Sequence, residues 1–158
     1  MNLGSKMISR GAIIAALYVV LTIIASALGL SSGPVQVRFS EALCILPCFT
    51  ASAIPGLFVG CVIANVLSGA VLWDVIFGSL ATLLAAVCTW FLRKHRYLAS
   101  LPPILFNALV IPWVLHYAYG IDTAIWLIML SVAAGEVLSA GLLGQLFYNL
   151  IQKRIRPE

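Results

Sequence analysis

Charge is what this chain has least of. Asp, Glu, Lys and Arg make up 9% of its 158 residues, against about 25% in an average soluble domain. With 63% hydrophobic residues and a mean hydropathy of +1.11, it cannot cover itself with polar surface, which excludes a soluble globule. A phosphate-binding loop of the form GxxxxGK[ST] is also missing, so any ATP-driven work is expected of a partner. Histidine is scarce: His95 and His116 are well separated, and neither has the neighbours a metal site needs. The four cysteines lie inside apolar runs rather than in loops, so they read as free and buried rather than as a disulfide framework. No metal and no cofactor is expected.

What charge there is carries topology. Lys6 and Arg10 precede the first apolar run, Arg93, Lys94 and Arg96 form a central cluster, and Lys153, Arg154 and Arg156 close the chain. Long apolar stretches separate these clusters, a membrane pattern and not the continuous basic face of a nucleic-acid binder. Eight of the nine basic residues can share one side, with Arg38 apart, and the positive-inside rule makes that side cytoplasmic. An even number of spans must then separate successive clusters. At about 20 residues per span, residues 11–92 fit four and residues 97–152 fit two. The expectation is an all-α membrane protein of six transmembrane helices, both termini cytoplasmic, forming one integral domain over residues 1–158. The spans fall near 9–29, 40–53, 55–71, 74–92, 101–117 and 123–151, the first read as a retained helix rather than a signal peptide. The second rests on charge parity: residues 42–73 are uncharged, too many for one ordinary helix and few for two, and Pro47 and the turn Ile54-Pro55-Gly56 interrupt them.

Small residues recur every four positions: Ala12 and Ala16 in the first span, Gly56, Gly60, Ala64 and Ser68 in the third, and Ser131, Gly135 and Ser139 in the sixth. Such stripes let helix backbones approach closely in lipid. Internal packing explains most of them, while Ala12 and Ala16 are the best candidates for docking another membrane subunit.

Polar residues within the apolar runs are candidates for function, because a mid-span charge costs about 2.5–3.5 kcal/mol on insertion scales. Glu136 lies near the middle of the sixth span, on the same helix face as Met129. Asn65 and Asn107 also fall near mid-depth, each suited to the edge of a heteroaromatic ring and equally to an interhelical hydrogen bond. Arg38, Glu41 and Asp74 fall near outer span ends, where Arg38 and Glu41 are spaced to pair. No second deep acid is evident beside Glu136. Trp113 and Trp126 belong to the outer halves of the last two spans, as belt aromatics or as stacking faces for a flat ligand.

Taken in order, several strings carry a resemblance: Arg38-Phe39-Ser40-Glu41-Ala42-Leu43 followed by Leu46-Pro47; Ile54-Pro55-Gly56-Leu57-Phe58-Val59-Gly60 with Ala64-Asn65; Asp74-Val75-Ile76-Phe77-Gly78-Ser79-Leu80-Ala81-Thr82; Leu101-Pro102-Pro103 with Phe106-Asn107; and Gly135-Glu136. The chain resembles the QueT family, the queuosine-precursor substrate-binding (S) components of energy-coupling factor (ECF) transporters. The resemblance implies a six-helix S-component bundle in the cell membrane. It would bind a 7-deazaguanine base from outside and join a transmembrane coupling subunit and two cytoplasmic ATPases, without being an enzyme itself. It also implies that Ala12-x-x-x-Ala16 contacts the coupling subunit.

The chemistry of the residues agrees. A guanine-like edge presents N–H and NH₂ donors side by side, which one carboxylate, here Glu136, can accept. Asn107 or Asn65 would meet the ring acceptors, with Trp113 or Trp126 against the face, and Asp74, Arg38 and Glu41 complete the candidate site. The alternatives are a stand-alone carrier of the same compounds, a small intramembrane enzyme, or a purely structural subunit. The charge asymmetry makes its own prediction. With single introduced cysteines and an impermeant thiol reagent on whole cells, Gly120→Cys labels and His95→Cys does not; the reverse pattern overturns the six-span topology.

Overall fold

The computed structural model describes residues 3–30 and 36–153; part of the expected outer loop at 31–38 and the basic residues Arg154 and Arg156 lie outside them. Among the described residues all regular structure is helical. Six α-helices run α1 Leu3–Ala27, α2 Ala53–Leu67, α3 Leu72–Phe91, α4 Leu101–Tyr117, α5 Ile125–Glu136 and α6 Gly144–Gln152. A π-helical stretch, Val137–Leu143, joins α5 to α6, so that Ile125–Gln152 is one continuous helix. Four stretches among the described residues are long and apolar enough to cross a membrane: Gly4–Ala27, Leu72–Phe91, Leu98–Tyr117 and Ile125–Gln152. The protein is therefore a multi-pass membrane protein.

The second expected span takes a different local form. In place of a helix over 40–53 the chain forms a 3₁₀ helix, Phe39–Cys48, followed by turns. Ten residues at about 2.0 Å each reach roughly 20 Å, short of the hydrocarbon thickness of about 30 Å. The physical cause lies in Pro47, which offers no amide hydrogen for an α-helical ladder, and in the surroundings. Ser40, Glu41 and every residue from Leu43 to Cys48 are buried, because α1, α2, α3, α6 and the π segment all pack around the segment. It is an interior plug. The apolar core forms on it: Leu43, Cys44 and Leu46 meet Ile14 and Tyr18 of α1 and Leu57, Cys61 and Ala64 of α2.

α1 and α2 cross at their glycines. A Cβ added to Gly56 would lie 2.7 Å from the Gly11 carbonyl oxygen, and one added to Gly60 would lie 2.8 Å from the Tyr18 Cβ and 3.0 Å from the Ala15 carbonyl oxygen. In lipid this close approach replaces the hydrophobic drive that water would supply. It also sorts the faces of α1. Gly11, Ile14, Ala15 and Tyr18 are buried against the rest of the protein, whereas Ala12 and Ala16 are exposed.

The crossing predicts unequal effects from two identical substitutions. Gly60→Ala forces backbone and Tyr18 apart and should destabilise the folded protein by about 1–3 kcal/mol, whereas Gly4→Ala, with nothing within 4 Å of the new methyl, should not lower the thermal midpoint in detergent. Equal midpoints for the two variants would refute so tight a crossing.

Candidate functional site

Five groups that the sequence scatters over 119 positions, from 18 to 136, meet in the interior. Tyr18 points from α1 into the bundle, and its hydroxyl donates to Glu41 Oε1 at 2.5 Å. The thiol of Cys44, one 3₁₀ turn further on, donates to Glu41 Oε2 at 3.1 Å. The Asn107 amide nitrogen on α4 donates to the same Oε2 at 3.4 Å and to Glu136 Oε1 at 2.8 Å. One amide thus bridges two carboxylates. Glu41, Asn107 and Glu136 are 1%, 3% and 6% exposed. The donors account for both Glu41 oxygens and one of Glu136; Glu136 Oε2 is buried with no hydrogen-bond partner.

The outer-end reading of Glu41 is thereby corrected, as is the absence of a second deep acid beside Glu136. A 3₁₀ segment enclosed on all sides has no outer lip for its carboxylate, so Glu41 must find donors inside. Tyr18 is the residue that sequence reasoning missed. A signal was present: Gly11, Ile14, Ala15 and Tyr18 repeat at helical spacing along one face of the first span, and a phenol on a buried apolar face needs a partner.

A second polar group gathers at the start of α3. Asp74, in its first turn and 5% exposed, receives the Tyr119 hydroxyl on Oδ2 at 3.1 Å, while its Oδ1 is buried and unpartnered. Tyr119 is itself held from behind, its oxygen accepting the Val71 amide hydrogen at 3.3 Å. Partial burial, and then the Asp74 carboxylate, push the Tyr119 phenol above its ordinary pKa, which keeps the hydroxyl a donor. Asn65 reaches the backbone carbonyl of Asp74 at 3.3 Å. Its amide therefore serves an interhelical contact.

Arg38 links the two groups, with its guanidinium within electrostatic reach of Asp74, Tyr18, Glu41 and Glu136. Its backbone is anchored on the sixth segment, the amide donating to Ser139 Oγ at 3.1 Å. Glycine makes this possible: a Cβ on Gly135 would lie 2.0 Å from the Gln36 carbonyl oxygen, so the strand of chain leading to Arg38 lies directly on the helix that carries Glu136. The π segment begins at the next residue, Val137, and such segments occur often at functional sites.

The aromatics are not drawn in. Trp113 and Trp126 are exposed. Trp113 lines an apolar groove of about 550 Å³ between α3 and α4, where it stacks on Tyr117 and where Trp73 stacks on Phe77. None of the buried carboxylates lines that groove. Among the described residues no group of three His, Cys, Asp or Glu side chains could hold a metal.

What the arrangement offers chemically is a desolvated acceptor at Glu136, backed by a second carboxylate, with an arginine above. Comparisons with known proteins give the family. A curated protein of Lactococcus lactis subsp. cremoris (strain MG1363), named as a queuosine precursor transporter, is 45% identical over 73 residues, which is 46% of this chain and 42% of the relative. The match thus spans less than half of that relative's length. No solved structure matches the chain. The family model for the QueT transporter matches residues 8–153, nearly the whole chain and every residue of both polar groups, and the protein belongs to the QueT transporter family.

Proposed function

We propose that the protein is the substrate-binding subunit of an ATP-driven importer for a queuosine precursor or queuine, a 7-deazaguanine base taken up from outside the cell membrane. One observation carries this reading: Glu136 keeps a buried carboxylate oxygen without a partner, and its other oxygen is held by an amide shared with Glu41. An ionised carboxylate only accepts hydrogen bonds, so the free oxygen calls for a donor from a ligand. The N–H and NH₂ of a guanine-like edge supply donors side by side. One completes Glu136 Oε2 directly. The other competes with Asn107 for the inner oxygen, and Asn107, once displaced, is free to turn toward the ring acceptors. Glu41 acts behind Glu136 as the second carboxylate, Asn65 holds the start of α3, and Arg38 closes the site over the base. Trp113 and Trp126, being exposed, would reach a base only through a change in how α4 and α5 pack.

The import module would be completed by a transmembrane coupling subunit and two cytoplasmic ATPases, which would hydrolyse ATP in place of this chain. The exposure of Ala12 and Ala16 supports docking on α1, since the packing of α1 on α2 uses the other face. A shallow apolar groove of about 400 Å³ runs beside them, lined in part by Met7, Ile8, Ala12, Pro55 and Val59, and it would accept a helix from a partner. In this reading the 3₁₀ plug and the turns that follow it together carry the chain across as the second of six membrane passes, inside the bundle, and both termini are cytoplasmic.

Two outcomes are expected. Glu136→Gln places a donor where the ligand also donates, so in titration calorimetry with queuine and with 7-aminomethyl-7-deazaguanine the affinity should fall about tenfold to over a hundredfold. Unchanged affinity for the tighter ligand would remove Glu136 from the site. Ala12→Trp or Ala16→Trp should abolish co-purification with the coupling subunit and spare ligand binding by the isolated protein. A complex that survives both changes would mean that Ala12 and Ala16 serve internal packing or face lipid instead of the coupling subunit.

A further inference from the structure

A neutral base edge at Glu136 leaves Asp74 without a role. Its position in the first turn of α3 would suit a helix cap, yet its oxygens are spent otherwise: Oδ2 takes the Tyr119 hydroxyl and Oδ1, buried, takes nothing. The fold makes room for that oxygen. Gly78, one turn further along α3, would bring a Cβ to 3.0 Å from Asp74 Oδ1 and to 3.6 Å from Ile111 on α4. Glycine at position 78 thus leaves the Asp74 oxygen a place close to the α3 backbone that a side chain would contest. Charge points the same way. The Arg38 guanidinium is within reach of Asp74, Glu41 and Glu136, and its planar fork matches one carboxylate at a time. Two of the three acids keep an oxygen without a partner.

A metal ion does not suit this oxygen, since among the described residues no three His, Cys, Asp or Glu side chains converge. A nitrogen cation does: an ammonium offers up to three donors from one compact charge and needs only an acceptor such as Asp74 Oδ1, without a cage. We infer that Asp74 is a subsite for an ammonium group borne on the 7-substituent of the ligand, with Tyr119 as the positioning residue that holds the other carboxylate oxygen. This rests on the functional reading above, in which the ligand is a 7-deazaguanine. Glu136 would read the part common to all such bases, and Asp74 the part by which they differ. The importer would then select precursors carrying an amine over those carrying a neutral substituent.

The full-length protein in detergent, titrated calorimetrically with 7-aminomethyl-7-deazaguanine and with 7-cyano-7-deazaguanine, tests this directly. The wild-type protein should bind the aminomethyl compound at least about tenfold more tightly, the scale of one charge-assisted hydrogen bond. Asp74→Asn should remove that preference by weakening the aminomethyl compound alone, leaving the cyano compound within about twofold. Tyr119→Phe should reduce the preference in part and lower aminomethyl affinity without changing that for the cyano compound. Equal binding of the two compounds by the wild-type protein overturns the subsite while leaving the functional reading intact, and this comparison depends on no variant folding. An equal loss of both compounds in Asp74→Asn also overturns it, assigning Asp74 to the structure of α3. If the wild-type protein binds neither compound and does not bind queuine, the functional reading fails and the subsite with it.

Discussion

Asn107 holds two carboxylates with one amide nitrogen, at 2.8 Å from Glu136 and 3.4 Å from Glu41, and much of the interior is arranged to make that tolerable. Away from water an unmet carboxylate costs several kcal/mol, so each oxygen must be given a donor or be kept for a ligand. Tyr18 from α1 and Cys44 from the 3₁₀ segment complete Glu41. Three elements besides α5 are thereby committed to one small polar centre. Their positions follow from it: α1 must lie close enough to bring a phenol inward, and the 3₁₀ segment must be enclosed.

The glycine crossing of α1 and α2 meets the first requirement. With Gly11, Gly56 and Gly60 at the contact, the helices approach until Tyr18 sits directly over α2, and the phenol has nowhere to turn but toward Glu41. The same contact leaves Ala12 and Ala16 on the far side. One helix therefore carries a ligand-side face and a lipid-side or partner-side face less than a turn apart, and movement at either is felt through a rigid backbone. The chain around Gln36 meets the second requirement from above, lying on Gly135 so closely that no side chain fits between.

A transporter needs a site that is stable empty and still receptive. In the proposed site the division of oxygens would serve that need: Glu41 has a donor on each oxygen, while Glu136 Oε2 and Asp74 Oδ1 remain unsatisfied. Stability given up at those two atoms is available to a ligand that brings the matching donors. The apolar groove of Trp73, Phe77, Trp113 and Tyr117 lies apart from this chemistry, and lipid covers such a surface without any further partner.

The sequence by itself determined the membrane class and the order and rough extent of the apolar segments. These follow from run length and charge spacing, one-dimensional quantities that bilayer thickness converts directly into structure. The family was legible too, in strings spread over most of the chain. Tertiary structure alone decided which residues meet. Glu41 stands 66 positions from Asn107, and no local pattern records that a third helix brings them together. The segment around Pro47 was ambiguous for a definite reason: residues 42–73 hold more apolar length than one helix needs and less than two. Packing on five neighbours resolved it as a 3₁₀ plug, and that turned Glu41 from a surface charge into the inner partner of the site. The tryptophans show the same limit from the other side. Their places along the apolar segments are read from the sequence, but the direction each faces depends on which helix lies beside it, and that is a property of the bundle.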